Sequence, residues 1–131
     1  MRSVSAKEKR LFELADLEWK AAAEMLAFLA KVDRRALWRD IGYETMVEYC
    51  VDKLGMCEDM AEANLEVART ARAFPTLFKA IATGHVQVAA VRLIAPHLTR
   101  QNLNELVAAV AHRPASEIKA MLAEWFPGSA V

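Results

Sequence analysis

Apolar residues recur every three to four positions through the first thirty residues, which is the spacing of one or more faces of an α-helix. Ser5 and Glu8 have the separation of a capping box, in which the serine hydroxyl and the glutamate carboxylate satisfy free backbone amides. We therefore predict that a first helix starts near Ser5 and runs to about Lys31, with a length of roughly 39 Å.

The apolar residues of this first helix cover more than one stripe. A helix with a single buried face needs only one apolar stripe, so we expect one face to meet the domain and another to meet a second subunit. The alternative is that the shorter helices simply wrap around it. The residues concerned are Leu11, Phe12, Leu14, Leu17, Trp19, Met25, Leu26, Phe28 and Leu29.

Three shorter helices are predicted between residues 32 and 75. Asp33 is the expected N-cap of the first, which Gly42 stops. Gly55 suits a left-handed C-cap and separates a helix ending at Leu54 from one that spans residues 57–73. The pattern of residues 44–73 therefore predicts a helix-turn-helix-like unit.

The remaining pattern predicts four more helices, most of them with proline or glycine at an end. Pro75 opens residues 76–83, which Gly84 closes. Residues 86–95 are almost uniformly apolar and should form the most buried helix, and residues 100–112 follow. Pro114 or Ser116 opens the last helix. We expect an all-α fold of about eight helices in a single compact domain, residues 1–131.

Composition agrees with one domain and gives no simple indication of a partner. The 131 residues are 55% hydrophobic and 26% charged, and seventeen basic residues balance seventeen acidic ones. The charges are unevenly distributed, because residues 44–66 hold seven acids and one lysine, whereas residues 69–113 hold six basic residues and one acid. A bipolar molecule is expected.

The sequence gives no indication of a membrane, a disulfide framework or a catalytic site. No apolar run approaches the roughly 20 residues that cross a bilayer, so we expect a cytoplasmic protein. Cys50 and Cys57 fit reduced, buried thiols. His85, His97 and His112 are scattered, and no phosphate-binding glycine loop or nucleophile motif is present. We expect no enzyme, no cofactor, no metal and no small-molecule substrate.

Several short motifs resemble the helical domain that precedes the nuclease domain in a group of bacterial HNH endonuclease proteins. The resemblance covers nearly the whole chain, to about Leu122. A weaker analogy is to the ParB-type partition proteins, whose helix-turn-helix is followed by a proline, an exposed helix, a glycine and a buried helix. The motif residues are Val32, Asp33, Arg34, Arg35, Gly42, Tyr43, Glu48, Tyr49, Cys50, Leu54, Gly55, Ala68, Arg69, Ala71, Arg72, Phe74, Pro75, Gly84, Ala95, Pro96, His97, Leu98 and Thr99.

The resemblance implies a DNA-associated helical module without cutting activity, since relatives would continue past Val131 into the nuclease. Relatives also carry basic residues early in the second helix of the turn unit, where this chain has Glu58, Asp59 and Glu62, which phosphates would repel. We therefore expect backbone contacts from arginines on either side of that acidic segment. The alternative is a protein-interaction module that forms a homodimer through the first helix. The candidate DNA contacts are Arg34, Arg35, Arg39, Arg69, Arg72, Arg92 and Arg100.

Overall fold

The computed structural model describes residues 5–128, and over that range the chain forms eight α-helices, one turn of 3-10 helix and no β-strand. This confirms the predicted all-α fold with a long first helix. The first four and last three residues of the predicted domain lie outside the described range. The helices are α1 (Ala6–Arg35), α2 (Leu37–Asp40), α3 (Met46–Leu54), α4 (Glu58–Ala73), α5 (Thr76–Ala82), α6 (Val88–Ile94), α7 (Leu103–Val110) and α8 (Ala115–Trp125), with the 3-10 turn at Ala95–His97.

Helix α1 begins as predicted and ends later than predicted. The Ser5 hydroxyl accepts a hydrogen bond from the Glu8 N–H at 3.2 Å, which confirms the N-cap. The predicted break after Lys31, with Asp33 as the N-cap of a second helix, is wrong. The helix continues to Arg35 because the chain first enters the left-handed region at Ala36, with φ of 52°, where the Ala36 N–H closes onto the Asp33 carbonyl.

Helices α3 and α4 are joined by a turn of three residues, in agreement with the predicted break. Gly55 has φ of 70°, and the Met56 N–H donates to the Cys50 carbonyl at 3.3 Å, which closes the C-terminal end of α3. Cys57 follows as the N-cap of α4 and is exposed, so the prediction of two buried thiols is correct only for Cys50.

The core lies between α1, α4 and α5 and extends through α6 to α8. Helix α1 packs mainly on α4 and α5, α4 also packs on α3 and α6, and α6 packs on α8. Small residues let α4 approach its neighbours closely, because Ala61, Ala68 and Ala71 are completely buried. Helix α6 was predicted to be the most buried helix. Helices α5 and α6 each bury three of their seven residues, so α6 is no more buried than α5. The largest fully buried side chains are Leu26, Leu65, Leu77, Ile94, Leu106 and Ile118.

Two predicted helix starts are wrong because local hydrogen bonds hold the preceding residues in turns. Helix α7 begins at Leu103, since the Thr99 N–H donates to the Asn102 side chain at 2.8 Å and the Asn102 N–H donates to the Thr99 hydroxyl at 3.1 Å. Helix α6 begins at Val88, since the Val86 N–H closes α5 by donating to the Ala80 carbonyl at 3.3 Å.

Trp19 marks the point along α1 where the helix first packs against the rest of the domain. A Cβ atom added to Gly84 would lie 2.5 Å from the Trp19 ring, so the indole rests directly on this backbone. Gly84 also has φ of 77°, a backbone conformation that residues with a Cβ rarely adopt. The glycine is therefore required both by the turn after α5 and by the contact with α1.

We predict that Gly84→Ala destabilises the protein more than Gly55→Ala. Both substitutions place alanine at a positive φ, which costs about 1 to 2 kcal/mol. Only position 84 adds a steric conflict, because nothing lies within 4 Å of a Cβ at Gly55. That conflict should bring the total at position 84 to about 2 to 5 kcal/mol.

Urea unfolding followed by circular dichroism measures both changes. In a double variant, Trp19→Ala should recover part of the loss at position 84 and none of the loss at position 55. Equal destabilisation by the two alanines would show that the Trp19 indole can move away from a Cβ at position 84 without loss of stability.

Candidate nucleic-acid interface

An ion pair between Asp33 and Arg69 joins the C-terminal end of α1 to the second half of α4. Arg69 Nε donates to Asp33 Oδ2 at 2.9 Å, and Arg69 Nη2 donates to Oδ1 at 2.8 Å. Two parallel bonds from one guanidinium to one carboxylate fix direction as well as distance. The Asp33 side chain is only 10% exposed, whereas that of Arg69 is 53% exposed. The pair therefore has its acid inside and its base at the surface.

The surroundings of Asp33 keep the carboxylate charged. The hydrogen bond from Arg69 lowers the pKa of Asp33 below its ordinary value, and the charges of Arg69 and Arg72 act in the same direction against partial burial. The same hydrogen bond raises the pKa of Arg69. Burial raises the pKa of the neighbouring Cys50 thiol, and the charge of Asp33 raises it further. Cys50 is therefore a protonated, buried thiol beside the pair.

Two arginines contact this carboxylate, and two further basic side chains share a cavity with one of them; we call Lys31, Arg34, Arg69 and Arg72 the basic cluster. Arg72 Nη1 lies 3.8 Å from Asp33 Oδ2. Lys31, Arg34 and Arg72 line an open cavity of about 260 Å³ between α1 and the start of α5. The remaining lining is apolar and consists of Ala27, Ala30, Pro75 and Phe78. The cluster therefore combines two arginines at one nearly buried carboxylate with two further cations that share a cavity with Arg72.

The structure places three of the seven predicted arginines in the basic cluster and the other four outside it. Arg34, Arg69 and Arg72 are brought together in the basic cluster. Arg35 ends α1, and Arg39 on α2 places its guanidinium carbon 5.2 Å from the centre of the Trp38 ring. These two arginines follow Arg34 along the chain, and both are exposed.

The other two predicted arginines lie on later segments. Arg92 on α6 donates from Nε to Glu66 Oε2 on α4 at 2.8 Å, so part of its charge is balanced by an exposed acid. Arg100 lies in the exposed turn before α7. Sequence reasoning missed Lys31, because α1 was expected to end there. Its separation of three residues from Arg34 becomes informative only once the helix is known to continue.

The acidic residues of α4 lie at the opposite end of that helix. Glu58 and Asp59 occupy its first turn, and Arg72 occupies its last. At 1.5 Å per residue, Glu58 and Arg72 are separated by roughly 21 Å along the axis. The bipolar charge predicted from the sequence is therefore present within a single helix.

Several residues of the HNH-like motifs have structural contacts in the connection between α2 and α3. The Tyr43 hydroxyl donates to Asp52, which raises the pKa of Tyr43 to about 12. The rings of Tyr43 and Tyr49 meet edge to face with centroids 5.7 Å apart. The Glu48 N–H donates to the Thr45 hydroxyl at 3.1 Å and so caps α3. These contacts order the chain between α2 and α3.

A larger open cavity, of about 570 Å³, lies away from the basic cluster beside Trp19 and Gly84. His85 and His112 line it, with ring centroids 5.0 Å apart. Within residues 5–128, no three histidine, cysteine, aspartate or glutamate side chains come together in a way that could hold a metal ion.

Comparisons with protein-family models, with curated proteins and with solved structures found no match to this chain. None of the helices in the described part of the chain combines the length and apolar character needed to span a bilayer.

We predict that Asp33→Asn lowers the free energy of unfolding at pH 7 and that this difference shrinks as the pH falls below 3.8. The pKa of Asp33 is held below its ordinary value of 3.8, so its stabilisation is complete above about pH 5 and is lost as pH falls through the lower, folded-state pKa. The amide keeps the shape but loses the charge, which should cost about 1 to 3 kcal/mol at neutral pH.

Denaturant unfolding across this pH range measures the difference. Asp16→Asn is the matched control, because Asp16 pairs with Lys20 at 2.8 Å on an exposed surface of α1 and should contribute less than about 0.5 kcal/mol. A loss at Asp33 that does not change with pH would mean that packing, and not charge, is responsible.

Proposed function

We propose that this protein is a non-catalytic DNA-binding helical domain that contacts the duplex backbone through the basic cluster. The observation that carries the proposal is that Arg69 and Arg72 both contact a nearly buried Asp33, while Arg72 also shares a cavity with Lys31 and Arg34. The resemblance to the helical domain of bacterial HNH endonuclease proteins supports the same conclusion, because its motif residues include Asp33 and three of these four cations. A cytoplasmic location is part of this proposal.

Arg69 can donate hydrogen bonds to a DNA phosphate while it remains paired with Asp33. A guanidinium has five N–H donors, and Asp33 accepts from two of them. The other donors belong to a side chain that is 53% exposed, so they can reach a phosphate while Asp33 holds the group in orientation. Arg72 is 42% exposed and can move more freely, since its nearest Asp33 contact is 3.8 Å. Arg35 and Arg39 would extend the same contact along the duplex.

The proposed contact differs from the usual use of a helix-turn-helix. In that motif the N-terminal residues of the second helix enter the major groove. Here those residues are Glu58, Asp59 and Glu62, which are exposed and would be repelled by phosphates. We propose that the C-terminal end of α4, together with the end of α1, faces the DNA. Such a contact reads the backbone and carries little sequence preference.

A second candidate function is a protein-interaction module that does not bind DNA. The observation that favours it is the number of large apolar side chains exposed on α1. Leu11, Phe12, Leu17 and Phe28 are each between 55% and 64% exposed. Surfaces of this kind mark contacts with another protein more often than contacts with nucleic acid. The acidic half of α4 would be available to the same partner.

We predict that the protein binds a labelled DNA duplex at low salt and that Arg34→Ala/Arg72→Ala weakens this binding. Loss of two phosphate contacts should reduce the slope of log affinity against log salt by nearly two. Fluorescence anisotropy at about 50 and 200 mM salt measures both affinity and slope. Arg69 is left intact because its removal would leave Asp33 nearly buried without its principal partner.

The matched control is Arg113→Ala/Lys119→Ala, which removes the same charge from exposed positions near and on α8. This variant should keep the wild-type slope. Wild-type protein that fails to bind at the lower salt concentration would remove the DNA proposal and leave the interaction module. Equal weakening by the two double variants would show that net charge matters and that the basic cluster does not.

A further inference from the structure

The N-terminal part of α1, residues 6–18, extends beyond the rest of the domain. None of these thirteen residues is buried. The Trp19 ring rests on Gly84, and Ala23 is the first buried residue along the helix. At 1.5 Å per residue the extension is roughly 20 Å long.

This extension carries large apolar side chains that are exposed. The exposed fractions are 64% for Leu11, 63% for Phe12, 41% for Leu14 and 55% for Leu17. A partner that covers these side chains would stabilise the helix through apolar burial.

The three leucines lie on one face of the extension, and charged residues of opposite sign lie at its two ends. With 3.6 residues per turn, Leu11, Leu14 and Leu17 fall within about 120° of one another. Arg10 lies on the same face towards the N-terminal end, and Glu18 lies on it towards the C-terminal end. Arg10 also contacts Glu13 within the helix at 3.2 Å, but both side chains are about half exposed, so that pair is weak.

We propose that this face binds the same face of a second copy of the chain, with the two helices antiparallel and a twofold axis near Leu14. In that register Leu14 meets its own counterpart and Leu11 meets the partner's Leu17. Arg10 then meets the partner's Glu18, and the symmetry repeats both pairings. The inference does not depend on DNA binding.

Charge determines both the direction and the register of the pairing. A parallel pair would place Arg10 against Arg10 and Glu18 against Glu18, which is unfavourable. An antiparallel pair centred on Ala21 would place Glu18 against Glu24 and Lys7 against Arg35. The register centred on Leu14 avoids these like-charge contacts, and it places the two domains at opposite ends of the paired helices.

The available area fits a weak but specific dimer. The leucines of this face and the aliphatic stems of its charged residues expose on the order of 500 Å² per copy, so a pair would bury on the order of 1,000 Å². This is near the lower limit for a specific interface. We therefore expect a dissociation constant in the micromolar range.

Sedimentation velocity across micromolar concentrations tests the proposal. The wild-type protein should change from monomer to dimer as its concentration rises, and Leu14→Lys should weaken the dimer at least about tenfold, because two lysines would meet at the axis. Leu54→Lys is the matched control, since Leu54 is 45% exposed at the end of α3 and should leave the dimer unchanged. Circular dichroism checks that each variant keeps its helix content.

A charge exchange tests the antiparallel register. Arg10→Glu and Glu18→Arg should each weaken the dimer by roughly fivefold, and the double variant should restore it, because the two residues meet across the interface. A strict monomer at all concentrations overturns the proposal and assigns the face to a different protein. A dimer that is insensitive to Leu14→Lys, or single charge variants without effect, also overturns it.

Discussion

The two-bond pairing of Asp33 with Arg69 is the interaction on which the arrangement of this protein's surface depends. The pair lies between α1 and α4, the two longest helices, and it fixes the rotation of one against the other. With that rotation set, Lys31 and Arg34 on α1 lie beside Arg72 on α4 and line one cavity. The same geometry places the buried Cys50 thiol against the carboxylate, where burial keeps it protonated.

The charge distribution along α4 has a structural cause as well as a functional consequence. Cys57 makes no side-chain cap to the first turn of α4, but Glu58 and Asp59 place negative charge in that turn, at the positive end of the helix dipole. Arg72, in the last turn, interacts favourably with the negative end. The acidic start of α4 therefore stabilises the helix. It also excludes that start from a nucleic-acid groove and leaves the basic end as the available surface.

Helix α1 combines a structural part with an exposed part. From Trp19 to Arg35 it carries core residues such as Leu26 and ends at the basic cluster, so this part stabilises the fold and positions the cations. From Ala6 to Glu18 none of its residues is buried, and its leucines and Phe12 are exposed. One helix thus joins the proposed DNA contact to the proposed dimer contact, and the contact of Trp19 with Gly84 separates the two parts.

The amino-acid sequence determined those features that depend on neighbouring residues. Apolar spacing predicted the helices, Ser5 with Glu8 predicted the start of α1, and Gly55 predicted the end of α3, because each signal acts within one or two turns. Turns such as the one between Thr99 and Asn102 were missed, since side-chain bonds there compete with the helix that the pattern favours.

Tertiary structure decided the role of Asp33. Its sequence context suggested an N-cap. Its partner Arg69 lies thirty-six positions away, which is too far for a local sequence pattern to pair the two residues. The membership of the basic cluster was decided in the same way, because three candidate arginines and the unpredicted Lys31 meet only after α1 and α4 pack together. Sequence determined which residues carry charge, and packing between distant helices determined which of those charges act on the same surface.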